Sequence, residues 1–314
     1  MKHSIHICSI LLLISLLSGL LISPKAFSQQ EPQYTQYMHN ILTVNPAYAG
    51  TGDALNMVLL SRMQWTGLDG APQTHNFSLH TPIRKYKMGL GFSIVSDDYG
   101  PVNNLFLNVD YAYHVNIMPK TILLMGLNGG LYNYHIGLSS LNTENPDPAF
   151  AQDIDQKFIP NAGVGLYLYS PKFFAGASFP RLFQTALDEE QDRESAFTLQ
   201  RHFFFMAGYN IDIAPQLIIK PSLITRITEG APFSADFTAR FVFQNTYTVG
   251  LSYRTDDSFA AMAGLQLNKQ LMVGYAYDIS QKELNSFSNG SHELVIHFNL
   301  VKTPKEKVVS PRNF

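Results

Sequence analysis

A period of two recurs along almost the whole chain, and it constrains the fold more than any other feature. Residues 105–115 read LFLNVDYAYHV. Leu105, Leu107, Val109, Tyr111, Tyr113 and Val115 share one face; Phe106, Asn108, Asp110, Ala112 and His114 share the other. Residues 247–254, 271–279 and 294–300 repeat the pattern. Side chains alternate across a strand, so strict alternation of this kind is a β signal. Each run is about ten residues long, the length of a tilted strand crossing a bilayer. Tyr and Phe near the run ends suit the two membrane interfaces.

Fourteen such segments are expected: 55–64, 73–81, 86–96, 103–115, 120–132, 160–169, 172–180, 200–211, 216–227, 234–244, 246–255, 258–267, 270–279 and 291–301. The connections test the reading, because outer-membrane barrels pair short periplasmic turns with longer outer loops. The odd connections include 65–72, 97–102, 133–159, 181–199 and 280–290. The even ones are 82–85, 116–119, 170–171, 212–215, 245 and 268–269. Only 228–233 and 256–257 are short for outer loops. An even strand count places both termini on the periplasmic side. Within lipid every backbone N–H and C=O must be paired internally, so such a sheet has to close. The predicted fold is therefore an all-β, transmembrane, antiparallel up-and-down β-barrel of about fourteen strands. Pro221 interrupts one strand, where a β-bulge is expected.

Composition agrees. Charged residues are 15% and aromatics 12%, against about 25% charged for an ordinary soluble domain. The net charge of −2 gives no sign of a nucleic-acid partner. Lys2 and His3 precede an apolar run from Ile5 to Ile22, followed by small residues at Ala26 and Ser28. This predicts a secretory signal peptide over residues 1–28. The only cysteine, Cys8, lies inside it, so the exported chain would carry no thiol, disulfide or cysteine metal site. The remaining divisions are an N-terminal plug over 29–54, the barrel over 55–301 and a basic periplasmic tail over 302–314.

Residues 43–52, TVNPAYAGTG, fit neither strand nor helix. Before them, Tyr34, Tyr37, Met38 and Ile41 recur at helical spacing, which predicts a short amphipathic helix. Asn45 and Val44 would end it, extended ahead of Pro46. The segment is expected to fold into the barrel mouth, with Tyr48 on the lumen wall. Ala47, Ala49 and Gly50 are small enough for a close backbone approach.

The stretches YTQYMHNILTVNPAYAGT and SRMQWTGLDGAPQTHNFSLHTPI resemble the PorP/SprF family of type IX secretion and gliding proteins of Bacteroidota. The likeness starts at Tyr34, is densest through Pro82 and rests on the pair NPAYAG and RMQWTG. It implies a surface-assembly role without cofactor or catalysis. Some members are core subunits tied to the periplasmic ring through a peptidoglycan-binding lipoprotein. Others receive the C-terminal domain of a large secreted adhesin. The family pattern also suggests a role for Arg62, Gln64 and Trp65. NPA echoes the hatch of FadL-type barrels, which leaves a passive channel for a hydrophobic solute as the alternative.

Other chemistry finds little support. His75 and His80 face opposite sides of one strand, as do His292 and His297, so neither pair can share a metal ion. Ser78 and His80 share a face, but no oxyanion-hole motif accompanies them. The inward face carries Arg62, Asp110, His114, Lys220, Arg226, Asp236, Arg240, Arg254, Asp278, Glu293 and His297, a mixture suited to ion pairs. Glu144, Asp147, Asp153, Asp155, Asp188 and Glu189 make the two largest outer loops acidic. These loops are the first choice for contacting a surface partner.

Overall fold

A computed structural model describes residues 32–141, 152–186, 198–229, 231–255, 257–281 and 287–300. The strands are β1 (Leu55–Met63), β2 (Gln73–Ile83), β3 (Met88–Tyr99), β4 (Val102–Met118), β5 (Thr121–Ile136), β6 (Ile154–Tyr169) and β7 (Phe173–Phe179). A two-stranded ribbon follows, β8 (Thr185–Ala186) with β9 (Thr198–Leu199). Then come β10 (His202–Tyr209), β11 (Ile211–Ala214), β12 (Leu217–Thr228), β13 (Ser234–Phe243), β14 (Tyr247–Arg254), β15 (Ser258–Gln266), β16 (Leu271–Ser280) and β17 (Ser291–Leu300). Both β10 and β11 pair with β12 and together form one stave. Every stave pairs antiparallel with its sequence neighbours, and β1 pairs with β17 from Leu55↔Leu300 to Met63↔His292. The result is a closed barrel of fourteen staves.

Alternation decides what faces where. Leu59, Val109, Leu127, Leu251 and Phe259 stand exposed on the outside, and Val58, Asp110, Asn128, Ser252 and Ala260 point inward. An apolar exterior over a polar interior is the arrangement a bilayer selects.

Three local expectations need correcting. Residues 97–102 are not an outer loop: β3 and β4 run on to Tyr99 and Val102 and leave only Gly100 and Pro101 between them. Likewise β5 continues to Ile136 and β6 begins at Ile154, so these strands reach 16 or 17 residues. That exceeds the bilayer requirement. Beyond the lipid both faces can meet water, so exposed polar pairs such as Asn103 with Asp98 (2.8 Å) replace the apolar alternation. Pro221 causes no bulge. It pairs with Ala239 in unbroken register, while on its other side the ladder lapses between Gly208↔Ser222 and Ile211↔Ile219. The break between β10 and β11 absorbs the missing N–H.

The third concerns the N-terminal segment. No α-helix forms. Three 3₁₀ turns appear at Tyr37–His39, Ile41–Thr43 and Pro46–Tyr48. Tyr34, Tyr37, Met38 and Ile41 are all buried, but so are Thr35, Gln36 and Asn40. A segment packed against wall on several sides has no single solvent face, and the compact turns let polar and apolar residues alike touch it. Asn45 is extended (φ −143°, ψ 106°) as its Pro neighbour requires, whereas Val44 stays near the helical region.

Candidate functional site

Residues 32–51 pack against the inner face of the barrel, held by three sets of contacts. The first is ionic. Arg62, in the last turns of β1, points inward and is 2% exposed. Its guanidinium meets Asp278 of β16 at 2.7 Å and Glu293 of β17 at 3.1 Å. It also donates to the Thr35 hydroxyl at 2.9 Å. Glu293 in turn accepts the backbone N–H groups of Thr35 (2.8 Å) and Gln36 (2.7 Å), and the Thr35 hydroxyl donates to Asp278 at 2.6 Å. Three strands and the inner segment thus share one network. Charged partners in a dry site make strong hydrogen bonds, and removing one leaves the rest uncompensated.

The second set is glycine against backbone. A Cβ on Gly89 of β3 would collide with the carbonyl of Ala49, and one on Gly126 of β5 with the Pro46–Ala47 peptide. A Cβ on Gly165 of β6 would strike the Asn45 side chain. Asn45 is fully buried; its Nδ2 donates to Leu166 O at 3.0 Å and its Oδ1 accepts from Ala47 N at 3.0 Å. Gly50, at φ +74°, donates its N–H to His80 Nδ1 at 3.2 Å, and His114 Nε2 donates to the Ala49 carbonyl at 3.2 Å. Glycine inside a strand marks close approach of another backbone. The wall glycines could therefore have been sought in the sequence at inward positions, and were missed.

The third set is apolar. Tyr37, Ile41 and Leu42 pack with Leu60, Leu124, Phe204, Ile224 and Val295 from the wall. The half-buried Tyr48 meets the rings of His80 (5.1 Å) and Tyr167 (5.3 Å) edge-on. Burial of each large apolar side chain contributes about 1.5–3 kcal/mol. A second cluster sits higher, where β4, β5 and β6 overrun the lipid: Phe106, Tyr132, Tyr134, Ile136, Ile154 and Leu199. Arg181 turns into it, 4.7 Å over the Phe106 ring, with its Nη1 donating to Tyr134 Oη at 2.8 Å. Nothing in the sequence marked Arg181, because it follows β7 in an irregular stretch.

The remaining inward charges sort by height. Near the long-connection ends, Asp236 accepts hydrogen bonds from Nη1 and Nη2 of Arg226 (3.0 and 2.9 Å) and from Nε and Nη2 of Arg254 (2.9 and 3.1 Å). Ser78 and His80, neighbours on the inward face of β2, both hold the inner segment: Ser78 Oγ donates to Asn40 Oδ1 at 3.4 Å. His75 faces outward, bonded to Ser61 at 3.1 Å.

The expected partner-binding residues separate. Arg62 belongs to the buried network. Gln64 and Trp65 sit in the connection after β1, where Gln64 N donates to Pro72 O (2.9 Å) and Trp65 N to Ser291 Oγ (3.2 Å). Trp65 is left-handed at φ 46°, and Thr66 N donates to Gly290 O at 2.8 Å, so the motif staples the β1–β2 and β16–β17 connections together. Asp153 is exposed and accepts from Ser139 N at 2.8 Å, a bond that holds its carboxyl below the usual range. Asp155 lies within β6 and meets Lys157 at 2.9 Å. Glu144, Asp147, Asp188 and Glu189 lie outside the described residues.

A family described as "Type IX secretion system membrane protein PorP/SprF" matches residues 26–298. The chain belongs to the PorP/SprF family. This PorP/SprF protein is a closed β-barrel of the outer membrane and a membrane component of type IX secretion. Among curated proteins no match to the chain was found. Solved structures with a similar course include the Ralstonia pickettii toluene transporter TbuX, at 10% identity and a TM-score of 0.49 over 81% of this chain and 91% of that one. The Acinetobacter baumannii outer membrane protein Omp33 gives 9% identity and 0.47 over 80% and 99%. The P. putida toluene transporter TodX gives 9% and 0.45 over 84% and 95%.

Proposed function

We propose that this barrel works by binding rather than by conduction or catalysis. Residues 32–54 act as a fixed plug. The outer connections receive a secreted adhesin or its C-terminal domain, and the short-turn end meets a periplasmic peptidoglycan-binding lipoprotein or ring components of the secretion machinery. The observation that carries the reading is the buried network of Arg62, Asp278, Glu293 and Thr35. It commits Arg62, Asp278 and Glu293 to holding a backbone inside the lumen. A conducting pore would instead keep such groups in water along its path. The family supplies the context of secretion, and the long β4–β6 wall supplies a platform above the lipid.

Planar-bilayer recording together with a deletion strain tests this. The full chain is expected to carry no steady current, and a variant lacking residues 32–50 to conduct. The deletion strain is expected to lose surface display of an adhesin while hydrophobic-solute uptake stays normal. Steady current from the full chain, or loss of uptake with display intact, would replace this reading with the FadL-like channel.

A further inference from the structure

The lumen charges balance at one end and not at the other. Near the long connections Arg62, Arg226 and Arg254 each meet a carboxylate. Near the short turns, Lys220 of β12 and Arg240 of β13 stand directly opposite each other on the inward face. Neither is in an ion pair among the described residues, and Arg240 Nε is buried without a hydrogen-bond partner. Two like charges directly across a strand pair repel, and an unpaired buried cation costs free energy. Both line a cavity of about 290 Å³ that includes the β13–β14 turn at Asn245 and Thr246 and holds no Asp or Glu. His39 of the inner segment and His297 of β17 complete it, their rings 6.0 Å apart.

We propose that this cavity is a binding site for an oxyanion of the phosphate class, either free phosphate or the phosphate of a lipid headgroup. The Arg240 fork and the Lys220 ammonium supply its charge-assisted donors. The Thr246 and Thr248 hydroxyls and the two imidazoles lie on the same lining. Gln36 and His39 form one wall and β12–β17 the others, so a bound anion would join the inner segment to the barrel. The site stands apart from the cargo reading and does not depend on it.

Isothermal titration of the full chain in a non-ionic detergent, at constant ionic strength, tests it. Inorganic phosphate is one arm, and mixed micelles with short-chain phosphatidylglycerol the other. Saturable one-to-one binding in either arm is expected, and the arm that binds names the source. K220Q/R240Q should weaken it at least tenfold. Gly264→Glu places a carboxylate in the same cavity, where the glycine has room. It should weaken binding likewise and carries the test if the double variant fails to show a heat-modifiable band. Lys269→Gln, on an exposed turn, should bind as the parent does. No saturable binding in both arms, phosphate heats matching those of chloride, or equal binding by parent and variants would overturn the proposal.

Discussion

Arg62 shows how one side chain can hold a membrane barrel and its inner segment together. Arg62→Met removes the cation and leaves Asp278 and Glu293 buried together, a change that typically costs about 3–5 kcal/mol. The expected readout is a lower midpoint for the heat-dependent band shift of the folded barrel in detergent. An unchanged midpoint would mean the network contributes nothing net. Gly126 makes the complementary case through shape. Gly126→Val drives a branched side chain into the Ala47 backbone, and overpacking of this kind costs about 1–3 kcal/mol. Protease cleavage within residues 32–54 should appear in the variant and not in the parent. Burial also keeps the His39 imidazole well below its usual range, with Arg240, His297 and Lys220 pushing the same way. The histidine therefore stands neutral at ordinary pH, and the charge of its cavity comes from Lys220 and Arg240.

At the scale of the element, β12 explains how a proline survives in the middle of a barrel wall. Its missing N–H falls opposite the break between β10 and β11, so no ladder bond is lost that the neighbour offers. Pro221→Ala should change stability by less than about 1 kcal/mol, within the worth of one net hydrogen bond. A larger loss, read by the same band shift, would show that proline's fixed φ is itself needed there. The inner segment is the opposite kind of element. Its three 3₁₀ turns have little stability of their own, and its conformation is imposed by the wall around it. Helical spacing in the sequence identified Tyr34, Tyr37, Met38 and Ile41 as buried but named the wrong backbone, because periodicity reports on one-sided burial and this segment also buries Thr35, Gln36 and Asn40.

For the whole molecule, we propose the orientation from the distribution of connections, with the long ones outside and the short turns in the periplasm. With Cys8 the only cysteine, single-cysteine labelling is clean. Asp155→Cys is expected to react with a membrane-impermeant maleimide on intact cells, and Lys172→Cys only after the outer membrane is opened. The reverse pattern would invert the barrel. Labelling of the parent would show that Cys8 is retained.

What the sequence determined by itself was the wall. Alternation counted the staves, set the inward and outward faces and assigned the inward charges, because each residue's side is fixed by its own position in a pleated strand. The NPAYAG and RMQWTG pair pointed to the family that the comparison then matched over residues 26–298. What only the tertiary structure decided was partnership. Nothing in the spacing of Arg62, Asp278, Glu293 and Thr35 says they meet, since closure brings together strands more than two hundred residues apart. The same holds for Gly89 and Gly126 beneath a backbone from residues 46–50, for the tight β3–β4 turn, and for Lys220 and Arg240, which have no ion-pair partner among the described residues. Those are properties of a closed surface with something inside it, and a one-dimensional pattern carries no record of what lies across the lumen.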